Sequence, residues 1–325
     1  MTFDRRAIAA FLATSVLFGG TFVAAKAGLA YIPPLLFVAL RFDIAAVVLA
    51  AFAFATIPRR ELLPRTRSDV LGIVATGVFA IGLANGFLFV GQQSASSAVG
   101  AIISSLNPIL TPVFAAVFLA DERLSKRGAI GMALGLLGVG LVVHPDPATV
   151  FAGGLGKLLF LAGAASGALG TVLIRRADAS LSSTARTAWG LPLAALLTHG
   201  ASLASGESAS TIVWTPQAVA ALAYVGIFAG ALAYIAYFGL IDTAGAIKSN
   251  LVFYVVPVVA TLGGWALLGE SISALTVAGF VVIFAGFAVL GSESLSSLLT
   301  TIDRPSILRV GEDDGQASNY SSRAD

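Results

Sequence analysis

The sequence predicts an all-α integral membrane protein with ten transmembrane helices, built as two inverted-topology repeats of five. Three observations carry that reading: an apolar composition, a series of runs long enough to cross a bilayer, and a match between the two halves. Hydrophobic residues make up 57% of the 325 and charged residues 11%, and mean hydropathy is +0.92. Soluble domains run near 45–50% apolar and 25% charged, so both figures point to lipid as the solvent. Cysteine is absent, which excludes disulfides, thiolate metal sites and a cysteine nucleophile.

A helix needs roughly 20 mostly apolar residues to cross the hydrocarbon. Such runs fall at 7–29, 35–57, 69–91, 98–120, 127–144, 154–175, 186–204, 217–240, 246–269 and 275–292. The first exceeds a signal-peptide core and is followed by further apolar runs, not by a polar mature domain. The tail 294–325 is Ser-, Asp- and Gly-rich and reads as polar, cytoplasmic and disordered.

Basic residues orient these spans. Arg5, Arg6, Arg59, Arg60, Arg65, Arg67, Arg123, Lys126, Arg127, Arg175, Arg176, Arg186, Lys248, Arg304, Arg309 and Arg323 share one side, leaving only Lys26, Arg41 and Lys157. The positive-inside rule then places both termini in the cytoplasm of a multi-pass protein of the cell membrane.

The halves match at a shift of about 149 residues. Gly77-Val-Phe-Ala-Ile-Gly-Leu-Ala84 lies over Gly226-Ile-Phe-Ala-Gly-Ala-Leu-Ala233, and Pro108 over Pro257. After one extra residue, Glu122 pairs with Glu270, Gly131 with Gly279 and Gly138 with Gly286. This divides the chain into repeats at 1–148 and 149–293. Five helices is an odd number, so the second repeat must insert upside down. Inverted repeats supply two near-equal gates that exchange roles in alternating access.

Several motifs occur in a fixed order. They are Phe18-Gly-Gly-Thr-Phe-Val-Ala-Ala-Lys26, Pro34 followed by Leu40-Arg41-Phe42, Ser105-Leu-Asn-Pro108, Asp121-Glu-Arg-Leu-Ser125 and Gly269-Glu-Ser-Ile-Ser273. With these the chain resembles the drug/metabolite transporter superfamily, in particular its ten-helix EamA-type members, over residues 7 to about 292. It departs from the pattern where one residue is inserted at Ala120-Asp121, and no arginine in the second half matches Arg41. The resemblance implies secondary carriage of a small metabolite, with export as the common direction.

Arg41 lies about 9 Å into the second helix, where it reads as an anion contact facing the bundle or as an arginine snorkelling to headgroups. Asp43 falls on the far side of that helix, and Lys26 reads as an interfacial anchor. Asn85 and its repeat mate Tyr234, with Tyr237 one turn on, suit a cavity wall; interhelical hydrogen bonding is the plainer alternative. Gln92, Asn107, Asn250 and Tyr254 are further substrate-binding candidates nearer helix ends. Pro108 and Pro257 would kink helices four and nine, either for gating or for packing. Glu122 and Glu270 read as turn caps before proton couplers.

No HExxH, GxSxG, GxGxxG or P-loop motif occurs, so no catalytic residue, metal, cofactor or nucleotide-driven pump is expected. The expected partners are a small-molecule substrate and the lipid bilayer, with coupled protons or an exchanged solute as driving force, and no nucleic acid. The alternatives are an intramembrane enzyme acting on lipid and a channel-type pore.

Overall fold

The computed structural model describes residues 5–119, 126–143, 154–244 and 252–302, and every regular element among them is helical. Glu122, Asn250 and the tail from 303 onward lie outside the described residues, as do the side chains of Pro108 and Tyr254.

The chain opens with α1 (Arg5–Gly28) and α2 (Pro34–Thr56). Proline at the start of α2 has no N–H to satisfy. The N–H groups of Leu35 and Leu36 donate to the Glu207 carboxylate at 3.1 and 2.7 Å. A short α3 (Arg59–Leu62) leads to α4 (Arg67–Val74), a π-helical stretch Ala75–Leu83 and α5 (Ala84–Gln92). Next come α6 (Ser97–Ser104) and α7 (Asn107–Phe118), then α8 (Lys126–Val143), α9 (Leu155–Ala177) and α10 (Ser183–Ala204). Beyond them α11 (Pro216–Ala223) passes through a second π-helical stretch, Tyr224–Leu232, into α12 (Ala233–Ala244). The last helices are α13 (Val252–Leu268) and α14 (Ala274–Ile302).

Among the described residues, six helical stretches are long and apolar enough to cross a membrane: Ile8–Gly28, Pro34–Thr56, Arg67–Gln92, Ser97–Phe118, Leu155–Ala177 and Pro216–Tyr237. The other four expected runs fall on or overlap α8, α10, α13 and α14. Outward-facing side chains such as Val47, Leu196 and Trp265 are 71%, 70% and 62% exposed. An aqueous protein seldom shows so much apolar surface.

The two π-helical stretches sit 149 residues apart, the offset found between the halves of the sequence. π-Helix is rare and usually local to functional regions. Helix α10 packs against the first stretch and α2 against the second, so each half lends a helix to the other's π segment. Helices α8 and α14 also pack together. A Cβ on Gly138 would lie 2.8 Å from the Gly279 carbonyl oxygen, and one on Gly286 would lie 2.7 Å from that of Gly131. Those four glycines are repeat mates meeting reciprocally across antiparallel helices, as a two-fold contact requires.

At the end of the bundle where α4 begins, Asp69 is fully buried. Its carboxylate accepts from the N–H groups of Arg65 and Thr66, each at 3.0 Å. It also accepts from Ser180 N–H at 2.9 Å, Ser180 hydroxyl at 3.0 Å and Leu181 N–H at 3.3 Å. One side chain therefore caps α4 and ties it to the α9–α10 turn. Asp69→Ala should lower stability by about 3 kcal/mol, the cost of orphaning buried donors that faced a charge. Thermal unfolding of the detergent-solubilised protein checks this, and an unchanged midpoint would mean water replaces the carboxylate.

Candidate functional site

Arg41 enters the bundle from the first third of α2. It is only 3% exposed, which a headgroup-seeking arginine would not be. Its guanidinium carbon lies 5.3 Å from the ring centre of Phe42 and 5.4 Å from that of Phe89 on α5. Both are within cation–π range. Tyr234 of α12 is close enough to interact with it electrostatically. Among the described residues, Nε and one terminal nitrogen, Nη1, have no hydrogen-bond partner. Asp43 does not serve, because its carboxylate is 2.9 Å from His199 Nε2 at the exposed α2–α10 surface.

Tyr234 connects this cation to an aromatic cluster. Phe18 of α1 meets Tyr234 edge-on at 5.4 Å between ring centres and Tyr237 at 6.0 Å. Phe253 of α13 stacks on Phe18 at 6.3 Å and meets Tyr237 edge-on at 5.8 Å. Helix α1 thus meets α12 and α13, and both halves of the chain supply the cluster. Such edge-on and stacked pairs leave flat apolar faces with polar phenol tips.

Two helical turns along α1 from Phe18, hydrogen bonds tie α1, the α5–α6 turn and the turn after α13 together. The Lys26 ammonium donates to the carbonyl oxygens of Gln92 and Ala95, both at 2.9 Å. Gln92 is fully buried; its Nε2 reaches Phe22 O and Ser97 Oγ at 3.4 Å, and its Oε1 has no partner among the described residues. Gly269, at φ +66°, turns the chain after α13. That turn carries Glu270 back over Ser97, whose N–H donates to both carboxylate oxygens at 3.0 Å and whose hydroxyl donates at 3.3 Å. Any side chain at Gly264 would collide with that carboxylate. Lys26 is within electrostatic reach of Glu270. The lysine therefore caps carbonyls instead of anchoring in headgroups.

The other candidates scatter. Asn85 is half-buried just beyond the first π stretch and donates to its own helix, at Ile81 O, 2.8 Å away. Asn107 stands at the α7–α9 contact against Gly167. Pro108 is in the first turn of α7, after the helix breaks at 105–106, whereas Pro257 is inside α13. Phe89 and Phe253 were not singled out by sequence; their signal is faint, aromatics scattered through apolar runs. Among the described residues no cluster of His, Cys, Asp and Glu could hold a metal ion.

The family model described as "EamA-like transporter family" matches the chain twice, over residues 5–144 and 154–292. An uncharacterized transporter of Archaeoglobus fulgidus is 26% identical over 86% of this chain and 96% of its own length. The uncharacterized transporter YyaM of Bacillus subtilis is 29% identical over 85% of this chain and 90% of its own. The uncharacterized inner membrane transporter YedA of Escherichia coli is 28% identical, over 85% and 88% respectively. One solved crystal structure superposes with a TM-score of 0.61 at 22% identity, covering 90% of this chain and 98% of that one, a likeness of fold.

Proposed function

The chain belongs to the EamA-like transporter family, and from that premise we propose a secondary, not ATP-driven, carrier that exports a small metabolite by alternating access. The family assignment makes it a multi-pass membrane transporter and not an enzyme. The finer reading has ten crossings in two inverted five-helix repeats, 1–148 and 149–293, with both termini cytoplasmic and protons or an exchanged solute supplying the drive. The observation that supports it best is the pairing of a buried cation–aromatic cluster with a tied helix end. A binding site between the halves has one exit bolted by Lys26, Ser97 and Glu270.

Exchange flux in proteoliposomes loaded with a metabolite mixture tests the carrier. Saturable exchange supports it, and rapid non-saturable leakage would establish a pore.

The bolt has its own test, helped by the lack of native cysteine. Ala101 is fully buried one turn inward from Ser97 on α6. Ala101→Cys should resist a membrane-impermeant maleimide, and adding Glu270→Ala should raise the labelling rate about ten- to hundredfold. That is the effect of losing hydrogen bonds to a charge worth about 1.5–3 kcal/mol. Labelling that Glu270→Ala leaves unchanged would remove this end from the gating cycle.

A further inference from the structure

We propose that the transported species is an organic anion with a flat, apolar body. The proposal rests on the carrier reading above and identifies what its site recognises.

The charge follows from Arg41. Its guanidinium is sealed from solvent, at 3% exposure, yet two of its nitrogens have no partner among the described residues. Buried charges are otherwise paired, because desolvating an unpaired ion costs far more than ring faces return. Phe42 and Phe89 offer only those faces. They also hold the planar guanidinium in a fixed orientation. Nε and Nη1 each carry N–H donors that the protein leaves unpartnered among the described residues, and charge-assisted hydrogen bonds from such donors are made best to the oxygens of an anion. A neutral solute would leave the cation as uncompensated as before, and a cationic one would add repulsion.

The body follows from the neighbours. Tyr234 is near the guanidinium and in ring contact with Phe18, which also meets Tyr237 and Phe253. An anion seated on Arg41 therefore has the rings of Phe42 and Phe89 beside the cation, with the cluster of α1, α12 and α13 linked to it through Tyr234. Aromatic surfaces reward a flat apolar body and give little to a small hydrated ion. The phenol tips of Tyr234 and Tyr237 add polar atoms at the edge without a charge. The cation comes from the first half and the aromatic cluster from both, so one solute engaging both would bridge the halves.

Four probes of graded character test this: phenylacetate, phenylacetamide, phenethylamine and acetate, with inorganic phosphate as a fifth. Each is added to the purified full-length protein, and thermal unfolding is followed as a function of concentration. Phenylacetate is expected to raise the unfolding midpoint saturably. The amide and the amine should act at least about tenfold more weakly, as should acetate, which keeps the charge without the ring. Arg41→Gln should abolish the preference for phenylacetate over its amide, while Phe18→Ala should abolish the preference over acetate and keep the charge preference. Should Arg41→Gln fail to fold, the Phe18 variant and the probe ranking in the native protein still decide.

Equal responses to phenylacetate, its amide and its amine would overturn the assignment, as would no response to phenylacetate. Phosphate binding as tightly as phenylacetate would assign the cation to inorganic anions and overturn the apolar body. Saturable exchange of uncharged solutes alongside any of these results would leave the carrier standing, so the two readings fail separately.

Discussion

Arg41→Met is expected to yield a protein that is more stable than the native chain and inactive. Methionine roughly follows the arginine stem and packs on Phe42 and Phe89 with no charge to desolvate. Two cation–π contacts are lost, each worth about 0.5–2 kcal/mol. Against that stands a charge buried with no hydrogen-bonding anion among the described residues, whose penalty in proteins is several kcal/mol. Even replacing well-paired buried ions by hydrophobes is often neutral or stabilising by about 1–4 kcal/mol, and here the pair is incomplete. The unfolding midpoint in detergent, without substrate, should therefore rise.

Exchange flux below saturation should fall at least about 30-fold, since truncating one member of a buried ligand–protein charge pair costs about 2–5 kcal/mol. A midpoint that drops instead would show that the guanidinium serves the fold and would remove Arg41 from the binding site. Stability surrendered at one residue for function is the usual signature of a site.

Much of the fold is legible in the chain because bilayer spanning imposes a coarse rule. Apolar runs of adequate length mark helices whatever their partners, and proline, glutamate and glycine recurring in one order, with a single-residue step in the offset, mark the duplication. Contacts across the bundle obey no such local rule. Glu207 caps α2 from a loop some 170 residues away, and a single acidic loop residue announces nothing. Lys26 looks like an interfacial anchor because the sequence cannot show the carbonyl oxygens of Gln92 and Ala95 that surround it. The π stretches are likewise silent, since a shift of hydrogen-bond register leaves an apolar run apolar.

Within the site, Arg41, Tyr234 and Tyr237 stand out by type alone, as charge or phenol inside a span. Their aromatic neighbours do not, because a phenylalanine in a membrane helix faces lipid as readily as a binding site. Asn85 stands out by type as well. Its position suggests a cavity wall, but an amide can also turn back to its own helix, and it donates to Ile81 O.

The glycine contact between α8 and α14 gives the second large effect, because backbone meets backbone there and neither side can yield. Gly286→Ala places a methyl carbon 2.7 Å from Gly131 O and 3.0 Å from Gly135 N. Alanine gains about 1 kcal/mol of helix propensity over glycine, whereas overpacking a close contact costs about 1–3 kcal/mol or more. With backbone on both sides of the contact the cost sits at the upper end, and the balance is a loss of up to about 2 kcal/mol.

Gly200→Ala in α10 is the control, since a Cβ there meets nothing within 4 Å; it should be neutral or stabilising. Gly138→Ala is the repeat-mate substitution and meets Gly279 O at 2.8 Å, so it should cost about as much as Gly286→Ala. The double variant should cost less than the sum, because one widening of the helix pair accommodates both methyl groups. Additive losses would mean that each glycine is accommodated locally and that the two contacts are independent. Sub-additive ones would show the helix pair moving as a single two-fold unit, which is the mechanical coupling that two gates exchanging roles require.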